Sequence, residues 1–100
     1  MNYTVLFSTD ALSDYSDASD WYEMQSKGLE KKFESEMLNR IKFISLHPEA
    51  SPYKFKHLRG TRLKKFPYYI YFELNETLQT ATILAILHES RESEILEQRF

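Results

Sequence analysis

His88 and Arg91 close a long apolar run, and six basic residues, Lys54, Lys56, Arg59, Arg62, Lys64 and Lys65, crowd the stretch 54–65 without one acid among them. A histidine titrates near neutrality and can take or give a proton, so His88 is a candidate acid or base. Its structural alternative is a hydrogen-bonded histidine that merely ends a strand. The clustered cations suit a polyanion or an acidic partner. Their bland reading is a solvated edge hairpin, where lysines discourage aggregation. The remaining 88 residues carry 7 basic against 15 acidic side chains, so the near-neutral total of −2 hides an electrostatically two-sided molecule. His47, His57 and His88 are separated by chemistry-poor sequence, and no metal site or cofactor is expected. The absence of cysteine excludes disulfides, thiolate catalysis and cysteine-ligated zinc, and fits a reducing setting.

These groups depend on the run from Phe66 to Arg91 for their position. Residues 66–74 and 81–88 flank the polar turn Asn75-Glu76-Thr77 and read as a hairpin. In the first arm Tyr68, Ile70, Phe72 and Leu74 share one face, while Tyr69, Tyr71 and Glu73 share the other. The second arm, ATILAILH, is apolar on both faces, which predicts a central strand covered above and below. Arg91 follows it by three residues, where its side chain is expected to turn back toward Arg62 and Lys64, unless it pairs with Glu89 or Glu94.

Upstream, residues 3–8 alternate as a short half-buried strand, and Thr9 with Asp10 can cap a helix over 11–27. Ala11, Tyr15, Ala18, Tyr22 and Gln25 mark its apolar face, with Asp14, Asp17 and Asp20 outside. Gly28 is the natural left-handed residue after it. Leu29, Phe33, Met37, Ile41 and Ile44 mark a second helix, ended at His47 by Pro48. Trp21 and Tyr22 read as core or as surface of this helical hairpin. Tyr53–Leu58 and Thr61–Lys65 read as basic strands about an Arg59-Gly60 turn, with Pro67 at a bend. Ser90 is expected to cap a last helix that ends at Arg99, with Glu92 and Glu94 in its first turn.

The expected fold is therefore α+β and two-layered: an antiparallel sheet of four to five strands, a helical hairpin on one face, and a short C-terminal helix. One hundred residues make a single domain, 1–100, able to bury roughly two thirds of its unfolded surface. No apolar run approaches the roughly 20 residues of a membrane span, and Met1-Asn2-Tyr3 lacks the basic start of a signal peptide. A cytoplasmic location is expected.

The first helix with Asp14, Ala18, Tyr22, Gln25, Gly28, Leu29 and Phe33, then Arg62 and Phe66-Pro67-Tyr68-x-Ile70, then Leu87-His88-Glu89-Ser90-Arg91 and Arg99, resembles the RelE/ParE family of bacterial type II toxin–antitoxin toxins. The likeness runs over nearly the whole chain. It implies a sheet whose first strand lies beside the last, and a small toxin held inactive by a cognate antitoxin. Ser93, Leu96 and Phe72 stand where that pattern commonly has proline, tryptophan and tyrosine, and the last would bring a hydroxyl to the functional face.

The family divides into ribosome-dependent mRNA endoribonucleases and gyrase inhibitors. Cleavage of RNA by a 2′-hydroxyl needs a group to take its proton, another to protonate the leaving oxygen, and cations for the developing charge. Arg91 sits where the ribonuclease branch places an arginine, and Arg62 and His88 complete the candidate catalytic set. That branch also uses a tyrosine in its C-terminal segment. Residues 92–100 contain none, and Glu97 stands at about that place. Gyrase inhibition demands only a complementary surface, for which Lys54, Lys56, Arg59, Arg62, Lys64, Lys65, Arg91 and Arg99 are the candidates. The expected function is thus a ParE-like toxin with gyrase as first choice of target. The alternatives are a ribosome-dependent mRNA nuclease and a small interaction domain without toxicity.

Overall fold

Residues 2–100 are described by the computed structural model. The alternating start forms β1 (Thr4–Phe7), followed by α1 (Thr9–Gln25). The cap of α1 is Ser8 rather than Thr9 or Asp10, its Oγ accepting the Ala11 N–H at 3.1 Å. Gly28 takes φ +90°, a conformation that costs glycine little, and turns the chain directly into α2 (Leu29–Leu46). A turn of 3₁₀ helix at Pro48–Ala50 leads into β2 (Tyr53–Phe55), β3 (Leu58–Arg62), β4 (Tyr68–Asn75), β5 (Thr80–His88) and α3 (Glu92–Arg99).

Two expected boundaries move. The turn between the basic strands lies at Lys56-His57, with Lys56 at φ +52°, and Arg59-Gly60 belongs to β3. Gly60 is needed for close approach rather than for a turn: a Cβ there would sit 2.8 Å from Lys54 Cγ and 3.2 Å from Tyr71 Cε1. Lys64 and Lys65 consequently lie beyond the strand, in the bend before β4. At the other end α3 begins at Glu92 with Arg91 as its cap residue, and Ser90 does not cap it, because its N–H and hydroxyl engage His88 Nδ1.

The sheet order is β1-β5-β4-β3-β2. Tight turns make β2 through β5 antiparallel, whereas β1 reaches β5 through the helices and pairs parallel to it, so the sheet is mixed rather than purely antiparallel. β4 is the middle strand; β5, beside it, is hydrogen-bonded along both edges and covered on both faces, which accounts for its unbroken apolar run. Its register against β4 slips at Leu84, where Tyr71 faces Ala85 but Phe72 faces Ile83. The bulge changes which residues face the helices: Ala81 and Ile83 do so before it, Ile86 after it.

The helical hairpin packs on one face over Phe33, Met37, Ile44, Ile70, Phe72 and Ile83. Aromatic rings pack the end where the hairpin turns at Gly28, with Tyr22 to Phe66 at 4.8 Å and Phe33 to Phe66 at 5.3 Å between centroids. On the other face Leu96 of α3 lies among Leu58, Tyr71, Ala85 and Leu87. Phe72 is fully buried on the helix side, so a tyrosine there would direct its hydroxyl into the core instead of to a functional face. Tyr22 is buried; Trp21 is 54% exposed. Among the described residues no helix is long and apolar enough to cross a membrane.

Candidate functional site at the end of β5

The C-terminal end of β5 carries His88 opposite Tyr68 of β4. Their rings meet edge to face, 5.2 Å between centroids at 82°. Ser90 then folds back, its N–H 3.1 Å and its Oγ 2.8 Å from His88 Nδ1. A backbone N–H can only donate, so Nδ1 is the acceptor and the proton of the neutral ring sits on Nε2. The lone pair that a general base would use is therefore occupied.

Arg91 is exposed at the start of α3 and makes no ion pair among the described residues. It lines a cleft of about 420 Å³ with Asp17, Ala18 and Trp21 of α1, Tyr68, and His88. Burial raises the pKa of the Tyr68 phenol, and the nearby Arg91 charge opposes that rise. Arg91 thus turns toward Tyr68 and α1, not toward Arg62 and Lys64 as expected. The Glu89 carboxylate, one of the partners proposed for Arg91, accepts instead from Arg62 Nε at 3.1 Å, while Arg62 Nη1 donates to the Leu63 carbonyl at 2.9 Å.

The other cations do not form one stripe. Lys54 lies over the Tyr69 ring at 4.7 Å, and Lys56 Nζ donates to the main-chain oxygen of Phe100 at 2.6 Å. Arg59 stacks on Tyr53 at 4.3 Å and donates to the Ser51 carbonyl at 2.7 Å, pinning the loop before β2. Lys64 and Lys65 stand apart from these, facing α2 across a separate groove. The basic run is thereby divided between the far face of the sheet, its outer edge and the flank of α2.

Arg99 is an internal tie. Its Nη1 and Nη2 donate to the two Asp14 carboxylate oxygens at 2.8 and 3.1 Å, and Asp10 lies 3.7 Å from Nε. The hydrogen bonds to Asp14 hold the guanidinium charged more firmly than in water. The arrangement answers a backbone need. β1 stops at Phe7, so past the bulge the Leu84 carbonyl and Ile86 N–H lack a strand partner. Arg99 Nη1 reaches that carbonyl at 3.3 Å, and Asp14 Oδ2 accepts the Ile86 N–H at 3.0 Å. Periodicity alone placed Asp14 on the outer face; the clue missed was an aspartate at i+3 from the buried Ala11, reaching past a strand that is too short.

Tyr71 is buried on the far face and donates its hydroxyl to Glu92, and burial together with that carboxylate raises its pKa. Glu97 is exposed on α3. His57 is 2.6 Å from the Glu73 carboxylate at the far edge, remote in the sheet from the end of β5. Among the described residues no group of three or more histidine, aspartate or glutamate side chains could hold a metal ion.

Solved structures with this fold include the chromosomal ParDE system of Pseudomonas aeruginosa, 18% identical over 86% of this chain and 95% of that one, with a TM-score of 0.69. The toxin–antitoxin complex RelBE2 of Mycobacterium tuberculosis follows at 17% identity, 88% and 92% coverage and a TM-score of 0.64. A free-state mutant of the Escherichia coli toxin RelE is 12% identical over 97% and 93%, with a TM-score of 0.67. No curated protein matches by sequence. The sequence model of the ParE toxin of the type II toxin–antitoxin system parDE matches residues 5–93, nearly the whole chain, and the protein accordingly belongs to the ParE toxins of the RelE/ParE family.

Proposed function

We propose that this toxin acts in the cytoplasm by binding a large target, DNA gyrase as first choice, and that a cognate antitoxin neutralises it. The observation that carries this reading is the state of the acid–base candidates at the end of β5. His88 Nδ1 already accepts from Ser90, and Arg62 is paired with Glu89. Arg91 is left as a cation in a Trp21-rimmed cleft of mixed polarity, equipment for recognition rather than for proton transfer. The solved ParDE and RelBE neighbours include toxin–antitoxin complexes, which supports an antitoxin partner here.

One observation favours a second reading. Arg91 and the Tyr68 side chain line the same cleft, and a cation beside a phenol would serve an endoribonuclease of RelE type working on mRNA at the ribosome. A single induction experiment separates the two. Gyrase inhibition predicts loss of plasmid supercoiling and a DNA-damage response while existing mRNA stays intact. Codon-linked cuts in translated mRNA within minutes would overturn it, and unimpaired growth would leave only a non-toxic interaction domain.

A further inference from the structure

A groove of about 870 Å³ follows the flank of α2 from Leu29 to Phe43 and is walled on its other side by residues 64–66. Lys32, Arg40, Lys64 and Lys65 stand in it against one carboxylate, Glu36, in a chain whose overall charge is −2. Glu36 is itself turned inward, accepting the Lys65 N–H through both oxygens at 3.0 and 3.2 Å. None of the four cations has an ion-pair partner among the described residues.

The floor is apolar. Phe66 is 7% exposed and packs on Tyr22 and Phe33, so the aromatic core backs it rigidly. Leu29 and Phe43 extend the apolar strip, and the Arg40 guanidinium lies 4.9 Å over the Phe43 ring. From Leu29 to Phe43 the helix rises about 21 Å at roughly 1.5 Å per residue. That length suits a helix of about 14 residues, or about six residues of extended chain.

We infer that this groove docks an acidic amphipathic segment of the antitoxin, with carboxylates over Lys32, Arg40, Lys64 and Lys65 and apolar side chains on Leu29, Phe43 and Phe66. The inference rests on the toxin–antitoxin reading for the source of the segment. Charge complementarity selects its sign, and the apolar floor selects amphipathic polypeptide over a nucleic-acid backbone, which would use the cations and leave Leu29 and Phe43 idle. It also replaces the whole run 54–65 as the acidic partner's footprint: only Lys64 and Lys65 of that run line the groove.

The probe is a fluorescein-labelled 14-residue peptide with leucines at i, i+3, i+4 and i+7 spacing and glutamates elsewhere, compared by anisotropy with its scramble and with single-stranded DNA of equal charge. The peptide should bind the wild-type toxin best of the three. Lys64→Glu/Lys65→Glu should weaken it at least about tenfold, since two rim charges become repulsive, and Phe43→Ala should weaken it at unchanged salt dependence. Melting curves check the fold, and Lys64→Gln/Lys65→Gln, both at exposed positions, gives the same test without repulsion. Equal binding of the scramble or the DNA, or equal binding by wild type and variants, overturns the inference. The neighbouring reading frame is then co-expressed. If its product neutralises wild type and the Lys64→Glu/Lys65→Glu variant alike, the groove is not the antitoxin's site although the toxin–antitoxin reading stands. If it neutralises neither, both fall.

Discussion

Arg91 and Arg99 stand at opposite ends of the same short C-terminal helix and have opposite fates. Arg99 has a side chain 20% exposed, bidentate to Asp14 and bonded to a strand carbonyl. Arg91 is exposed, has no ion-pair partner among the described residues, and lines a cleft. The difference comes from what each end of α3 meets. The end of α3 crosses the place where β1 falls short and backbone groups need partners, whereas its start lies past the last residue of β5, where the Glu89, Ser90 and Arg91 N–H groups already have acceptors in Pro67 and His88. One arginine therefore completes the fold, and the other is available for work outside it.

The largest effect should come from breaking the Arg99 side of this contrast. Asp14→Ala leaves a poorly solvated guanidinium and an unpartnered Ile86 N–H, and should cost about 3 kcal/mol or more in urea unfolding. Replacing both partners together, Asp14→Leu with Arg99→Met, should cost less than Asp14→Ala alone, since no charge is stranded. A double variant as unstable as the single would mean that the pair is not coupled.

Gly60→Ala tests the opposite edge of the sheet, where β3 passes close to Lys54 and Tyr71. The added methyl would meet atoms at 2.8 to 3.2 Å, and the expected loss is roughly 1–3 kcal/mol. No loss would mean that β2 moves freely and that Lys54 is not held over Tyr69.

Tyr71→Phe is expected to be milder. It removes the hydroxyl held by Glu92, about 1 kcal/mol, and its signature should be faster amide hydrogen exchange confined to α3. Uniform exchange across the sheet would refute the view that this bond serves mainly to dock the helix.

The smallest effect appears only in alkali. Burial, and then the neighbouring Tyr68, push the Tyr22 phenol up to about 12. A phenol that holds its proton more tightly folded than unfolded contributes full stability below pH 10 and loses it as pH rises toward 12. Tyr22→Phe should flatten that decline, as read from melting temperatures between pH 9 and 12. An unchanged slope would assign the decline to the other buried tyrosines.

The regular parts of this fold were legible because periodicity reports burial. Phe33, Met37 and Ile44 fall on the predicted stripe of α2, and the alternation of β4 assigns Ile70 and Tyr71 to opposite faces as found. Local signals misled where a tertiary contact outweighs them. Arg59-Gly60 looks like a turn, but Gly60 is small because Lys54 and Tyr71 crowd it. Ser90 looks like a cap, but His88 takes its donors. The clustering of six cations in sequence was plain, and their separation in space was not, because a two-residue turn and a bend send them to three surfaces. Asp14 and Arg99, 85 residues apart, could not be paired from one sequence.

The contrast between the two arginines is tested most directly by substituting Arg91→Ala and measuring growth inhibition together with the melting temperature. Loss of toxicity with a melting temperature within about 2 °C of wild type, as expected for an exposed side chain with no ion-pair partner among the described residues, is the predicted result. A variant that melts like wild type and still arrests growth fully would contradict the assignment of the cleft at the end of β5 as the surface through which this toxin acts.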